Sequence, residues 1–446
     1  MQDVPQDQSL ATEPIPTLVW RYTIPTILSM LVTGVYVVID GMFIGHYLGE
    51  VGLAGMMLAY PVGAILYAVG ALLGMGGASL VSINLGRNDP ARARKILGNT
   101  FTLCLISGVL FALVGTFFSR DILMWLGAEG EVLRGAYEYL FWYFALGVFP
   151  ILAIAFAALL RNDGRPGFVT WILIISGCLN ALLDWLLIVV FPLGLAGAAI
   201  ATMICQAVTG LACLQHFFTA KTRLGINIEQ MKLTLDHCSN IVKVGFPSFL
   251  MNLYLSIVLT LHNMAFLWVG APIHVAAYGV VSYTEALFYL IFEGIALGTQ
   301  PIFSFNAGAN RFDRVFQTFK IATLMTLVTA VIGLLFIYLL PKYLVYIFAG
   351  DNAELTPVAI EGMRLYFWGL PFEGVILTGA AFFQAIGRPK DAAMLTGSKL
   401  ILIAVIIYLF AWAFGVTGVW ISLACCSALL TLWMVRRLRS LYISLQ

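Results

Sequence analysis

Charge is what this 446-residue chain has least of: 10% of its residues are Asp, Glu, Lys or Arg, against roughly 25% in an ordinary soluble domain. Water is therefore not the main solvent of its surface. Signatures of metal and redox chemistry are missing too. The seven cysteines form no CxxC and the five histidines no HExxH, so neither a zinc site nor a disulfide framework is expected, and the cysteines are read as packing residues. The two aspartates in IDGMF and LLDWLL stand outside any GxGD, which argues against an intramembrane aspartyl protease. The leading residues MQDVPQDQSLATEPIP are polar and acidic, without the basic start and small-residue cleavage site of a signal peptide. The first apolar run is thus expected to be retained.

Hydrophobic residues make up 61% of the chain. They gather into runs of eighteen residues or more, about the length that crosses a ~30 Å hydrocarbon core as a helix. Twelve such spans are placed at about 17–46, 51–81, 96–119, 133–160, 167–191, 194–219, 243–270, 274–305, 317–340, 358–386, 391–414 and 416–436. Long continuous runs, rather than ten-residue alternation, exclude a membrane β-barrel. The expected fold is an all-α membrane protein of two six-helix bundles: an N-lobe at 17–219 and a C-lobe at 243–436, joined by a polar linker at 220–242 and flanked by tails at 1–16 and 437–446.

Twenty of the 24 Lys and Arg fall on one side of this arrangement, among them Arg21, Arg87, Arg161, Lys221, Arg223, Arg311, Arg388, Lys399 and Arg436; the other side holds Arg120, Arg134, Lys342 and Arg364. The excess of basic residues marks the cytoplasmic face, so both termini are expected there. On this count no basic residue sits mid-membrane. The second half repeats the first at an offset near 222 residues: SINLG from Ser82 matches SFNAG from Ser304, Gly164-Arg165-Pro166 matches Gly387-Arg388-Pro389, GLAG from Gly194 matches GVTG from Gly415, and Pro25 matches Pro247. Six helices per repeat relate the lobes by an axis along the membrane normal, and transporters place their sites within or between such lobes.

Five acids lie six or more residues inside the ends of these apolar runs: Asp40, Asp184, Glu285, Glu293 and Glu373. A carboxylate at that depth costs about 2.5 to 3.5 kcal/mol on insertion scales, which makes each a candidate for function. Tyr36 precedes Asp40, and Asn180 precedes Asp184, by one helical turn, so each pair shares a face. With Tyr139 and Thr202 at similar depth, a polar cluster can converge in the N-lobe. Its hard oxygen ligands suit a proton or a small cation such as Na⁺, held in the latter case by Asp40, Asn180, Asp184 and Thr202. In the C-lobe, His262 takes the register of Asp40 and reads as a packed histidine, so the ion site is expected in the N-lobe alone. Glu285 and Glu373 could face a central cavity or be paired structural acids; Glu293 reads as structural. Aromatics on the same helices, among them Phe288 and Tyr289, could wall a cavity suited to lipophilic cations.

Taken in order and spacing, the SINLG and SFNAG loops, the two GRP turns and QPIFSFNAGAN from Gln300 to Asn310 resemble the multidrug and toxic compound extrusion (MATE) transporters over nearly the whole chain, and most of all their DinF-like prokaryotic branch. The resemblance implies a non-enzymatic, cofactor-free monomer of the inner (plasma) membrane. It implies export of amphipathic, mainly cationic compounds in exchange for H⁺ or Na⁺ by alternating access, with no nucleic-acid partner. It also implies a coupling site at Asp40, Asn180 and Asp184, assisted by Tyr36, Tyr139 and Thr202, and a bending role for Pro25. The helix 7 carboxylate of the NorM-like branch has no counterpart here. A flippase of lipid-linked oligosaccharides, a related class, would need basic residues in its cavity, and none is expected.

Overall fold

Two helices are too long to cross a bilayer once. Ile15–Gly86 has 72 residues and Pro389–Leu445 has 57; straight, they would reach about 108 and 86 Å at 1.5 Å per residue. Each breaks at a glycine in the left-handed region, Gly49 (φ 64°) and Gly415 (φ 59°), where a side chain would be strained. There the chain turns back on itself. A Cβ at Gly45 would lie 3.3 Å from Leu53, and one at Gly418 would overlap the Phe410 carbonyl, pairs that a straight helix holds about 12 Å apart. The first helix therefore supplies spans 1 and 2, and the last supplies spans 11 and 12.

The computed structural model describes residues 6–219 and 224–445. Between the hairpins lie span 3 (Pro90–Trp125), span 4 (Gly130–Ala145 and Val148–Asn162, bent by 54°), span 5 (Pro166–Asp184 continued by π-helical Trp185–Val190) and span 6 (Gly194–Phe218). Span 7 is Leu235–Val269, span 8 Pro272–Gly308, span 9 Phe312–Leu339 and span 10 Leu355–Ala385. Among the described residues nine helices are long and apolar enough to cross a membrane; the bent pair makes a tenth, and the two hairpins bring the crossings to twelve. Each half has its own apolar core, around Leu18, Phe156 and Phe217 in one and Phe266, Phe303 and Phe382 in the other.

Helices run further than hydropathy indicates. Span 7 starts at Leu235 and span 12 continues to Leu445, because backbone hydrogen bonds persist into the polar interface where the apolar signal has ended. Lys221 and Arg223 of the linker lie outside the described residues. The rest of the linker is strapped to span 3: the Asn99 amide donates to the carbonyls of Gln230 and Lys232, and its oxygen accepts from the Thr234 amide at 2.8 Å. The segment before span 1 is held by the opposite lobe, where Arg314 donates to the carbonyls of Leu10 and Glu13 at 3.0 and 2.7 Å.

The repeat is written into the backbone. Asn88 and Asn310 take φ of 59° and 57°, and Gly164 and Gly387 take 84° and 76°. The repeated motifs also meet: a Cβ on Gly86 would collide with the Phe305 carbonyl, and one on Gly308 with that of Ile83, so only glycine lets these backbones touch. Beside them Gln300 of span 8 donates to Ser79 and Ser304 at 2.9 Å and accepts from Asn162 at 2.7 Å, while Ser82 donates to Asn162 at 2.7 Å. Buried amides bonded across the lobes close the half next to the loops at Arg87 and Arg311.

Candidate functional site

In the N-lobe, Asp40 lies nine residues before the break at Gly49, and Asn180 and Asp184 share a face of span 5. Regular helix ends at Asp184 and six π-helical residues follow, an irregularity frequent at functional sites. The three side chains are 6%, 1% and 0% exposed. Tyr139 on span 4 and Thr202 on span 6 are buried as well, and Tyr36 is half-buried. Asp40 lies close enough for its charge to act on Asp184, Tyr139 and Tyr36. Thr202 sits on the helix packed against span 5.

Burial without partners is what distinguishes this cluster. Oδ1 of Asp40, both amide atoms of Asn180 and both oxygens of Asp184 make no hydrogen bond, although an unmade bond at a buried polar atom costs about 1–3 kcal/mol. Oxygens so arranged fit a proton or a small hard cation. No three His, Cys, Asp or Glu side chains among the described residues group as a metal site, so a cation here would need the neutral oxygens of Asn180 and Thr202. Two tyrosines that sequence reasoning missed border the cluster: Tyr67 accepts from Gln206 at 2.9 Å, and Tyr143 stacks on Tyr139 with centroids 5.4 Å apart. Their spacing along spans 2 and 4 carried the signal.

The C-lobe holds two adjoining pockets that share Tyr289, Phe292 and Glu373; Glu285 and Tyr366 line one, Tyr254 and Lys399 the other. Glu285 accepts a hydrogen bond from the Tyr366 hydroxyl at 2.6 Å. Phe288 lies elsewhere, packed against Phe367 with centroids 6.2 Å apart and against Gly333 of span 9. His262 is fully buried, bonded to the Val258 carbonyl at 2.9 Å and stacked on Tyr278 at 4.7 Å.

Two sequence expectations fail here. The intramembrane charge is not wholly acidic, because Lys399, assigned to the cytoplasmic side, lies ten residues inside the span 11 helix, roughly 15 Å along it. It is 7% exposed, ion-paired with Glu373 and 3.8 Å above the Tyr254 ring. Ser427 of span 12 donates to the other Glu373 oxygen. Arg161 is likewise 6% exposed, near enough to Glu293 of span 8 for the charges to interact. Counting loop charges misplaced Lys399, because a basic residue inside a span can be held there when an acid on another helix receives it, whereas Arg161 stays at the end of its helix. The premise that disfavoured a flippase, a cavity free of basic residues, fails with Lys399.

A polar, partnerless acid cluster in one lobe and an aromatic pocket with charged groups in the other, on two pseudo-symmetric bundles, define a two-lobed membrane carrier. The chain belongs to the MatE family of transporters, whose family model matches residues 25–186 and 247–409, two copies starting 222 residues apart. It is similar to the multidrug export protein MepA of Staphylococcus saprophyticus, 26% identical over 90% of this chain and 88% of that one. Among solved structures it resembles a MATE in complex with MaL6 (TM-score 0.91, 24% identity, 98% and 99% of the two chains). An outward-facing multidrug resistance MATE family transporter of the MOP superfamily is as similar (TM-score 0.91, 24% identity, 99% of both).

Proposed function

We propose that this protein is a secondary active multidrug exporter of the inner (plasma) membrane. It works as a monomer with both termini cytoplasmic, and exchanges amphipathic, mainly cationic organic compounds for H⁺ or Na⁺ by alternating access. The observation that carries this reading is the buried trio Asp40, Asn180 and Asp184, five of whose side-chain polar atoms lack hydrogen bonds, in a lobe separate from the aromatic pocket around Glu285. MepA, named for multidrug export, supports the substrate class.

Asp40 and Asp184 form the coupling site, with Asn180, Thr202, Tyr36 and Tyr139 completing it; with Na⁺, Asp40, Asn180, Asp184 and Thr202 are the ligands. The partnerless pair Asp40 and Asp184 in the N-lobe, with His262 rather than an acid at the matching place on span 7, is the support for the DinF-like branch. Two desolvated like charges disfavour the doubly ionised state, so binding a cation changes which packing of span 1 is preferred. A ligand shifts such an equilibrium only by its differential affinity for the two states. Pro25 makes span 1 the moving part, since proline removes one backbone hydrogen bond, and its carbonyl is tied to span 5 by the Thr170 hydroxyl at 2.7 Å. In the C-lobe, Glu285 and Tyr289 bind substrate. Phe288 supports the wall from behind.

Uptake of an organic cation into inside-out vesicles, with pH and Na⁺ gradients imposed separately, tests direction and coupling together. Uptake driven by one of the two gradients is expected. Equal uptake with neither gradient would leave a passive pore.

A further inference from the structure

Two carboxyl groups and one ammonium line the C-lobe pockets, and they are not equivalent. Glu373 is engaged on one oxygen by Lys399 and on the other by Ser427, and the Lys399 ammonium also rests on the face of Tyr254. The hydrogen bond that Glu285 receives comes from a neutral phenol, Tyr366. With both carboxyls ionised, the pair Lys399–Glu373 is neutral and the cavity carries one net negative charge, at Glu285. Helices from five spans hold this arrangement: Tyr254 on span 7, Glu285 on span 8, Glu373 on span 10, Lys399 on span 11 and Ser427 on span 12. A cationic centre entering the pocket at Glu285 meets an uncompensated carboxylate beside Tyr289 and Phe292. A second cationic centre on the same ligand, reaching into the pocket beyond, meets the Lys399 ammonium in a desolvated setting, where like charges repel strongly.

We propose that Lys399 is the specificity-determining residue for substrate charge: it reserves Glu373 and leaves Glu285 as the single anionic anchor, so the cavity accepts amphipathic monocations and rejects dications. This rests on the reading of the C-lobe pockets as the substrate cavity. Lys399 acts by neutralising Glu373 and by repelling a second cationic centre, without bonding to the substrate.

The test is equilibrium binding of a monocation, tetraphenylphosphonium, and a dication, benzyl viologen, to the purified full-length protein. Wild type binds the monocation more tightly. Lys399→Met frees Glu373 and moves the dication-to-monocation affinity ratio toward the dication by about tenfold or more, the effect of a lost charge contact worth about 1.4 kcal/mol. Lys399→Arg keeps the wild-type ratio. The double variant Lys399→Met with Glu373→Gln removes both charges, keeps the net charge at minus one and restores the wild-type ratio. Should Lys399→Met not fold, Glu373→Gln gives the complementary reading: with Lys399 left unpaired, tetraphenylphosphonium affinity falls about tenfold. Glu285→Gln separates the two levels of the argument. If it leaves binding of both probes intact, the substrate-cavity reading falls and the proposal with it. If it weakens monocation binding while Lys399→Met leaves the ratio unchanged, or Glu373→Gln leaves monocation affinity unchanged, the cavity stands and the role of Lys399 is overturned.

Discussion

Asp184 and Lys399 are both charged groups buried in a membrane protein, yet their surroundings predict opposite responses to substitution. Both oxygens of Asp184 lack hydrogen-bond partners, so Asp184→Asn gives up no bond made in this structure and removes a desolvated charge. We expect the variant to insert, to melt at or above the wild-type temperature and to bind substrate, while gradient-driven transport is abolished; full pH- or Na⁺-driven export in both Asp40→Asn and Asp184→Asn would move the coupling site to the C-lobe acids. Lys399 holds Glu373, and removing one partner of a buried pair typically costs about 3–5 kcal/mol because the other charge stays behind. Lys399→Met should therefore lower the melting temperature, and adding Glu373→Gln should recover much of the loss. A double variant no more stable than the single one would show that the pair does not act as a unit. These contrasts were only half visible beforehand. The turn spacing of Asn180 and Asp184 is local and legible in the sequence, whereas Glu373 and Lys399 sit on different helices.

At the scale of the element, span 8 joins the lobes. Gln300 is bonded to Ser79, Ser304 and Asn162, and Gly308 touches the backbone of span 2 at Ile83. Gln300→Ala removes its three bonds and leaves buried partners unsatisfied, at about 1–3 kcal/mol for each group so exposed. Gly308→Ala pushes the backbones apart. Spin labels at Asn88 and Asn310, in the symmetry-related loops beside this contact, should report one short distance in the parent protein and a second, longer population in either variant; an unaltered single distribution would refute the closure role. Span 1 carries the second prediction at this scale. Pro25→Ala restores a backbone donor, stiffens the helix and should slow exchange between the two packings, seen as a reduced turnover with substrate affinity kept. Unchanged turnover would release Pro25 from its bending role.

For the molecule as a whole, the uneven distribution of basic residues predicts that the loops beginning at Arg87, Arg161, Lys221, Arg311 and Arg388 face the cytoplasm. A cysteine replacing Asn88 should react with an impermeant maleimide only after the membrane is opened; efficient labelling in intact cells would invert the topology. The helical class, the crossings, the 222-residue repeat and the acids inside the spanning helices were all legible in the linear order of residues. Each depends on hydropathy or spacing along one chain segment, and the bilayer converts those one-dimensional quantities directly into spanning helices. Tertiary packing alone decided that Lys399 turns inward to Glu373, that Phe288 backs the wall while Phe292 lines it, and that SINLG and SFNAG meet each other across the lobes. Those outcomes depend on the rotation of each helix about its axis and on which distant helix it faces, and a hydrophobic run specifies neither, because in lipid nearly every face of such a helix is acceptable until a specific partner takes it.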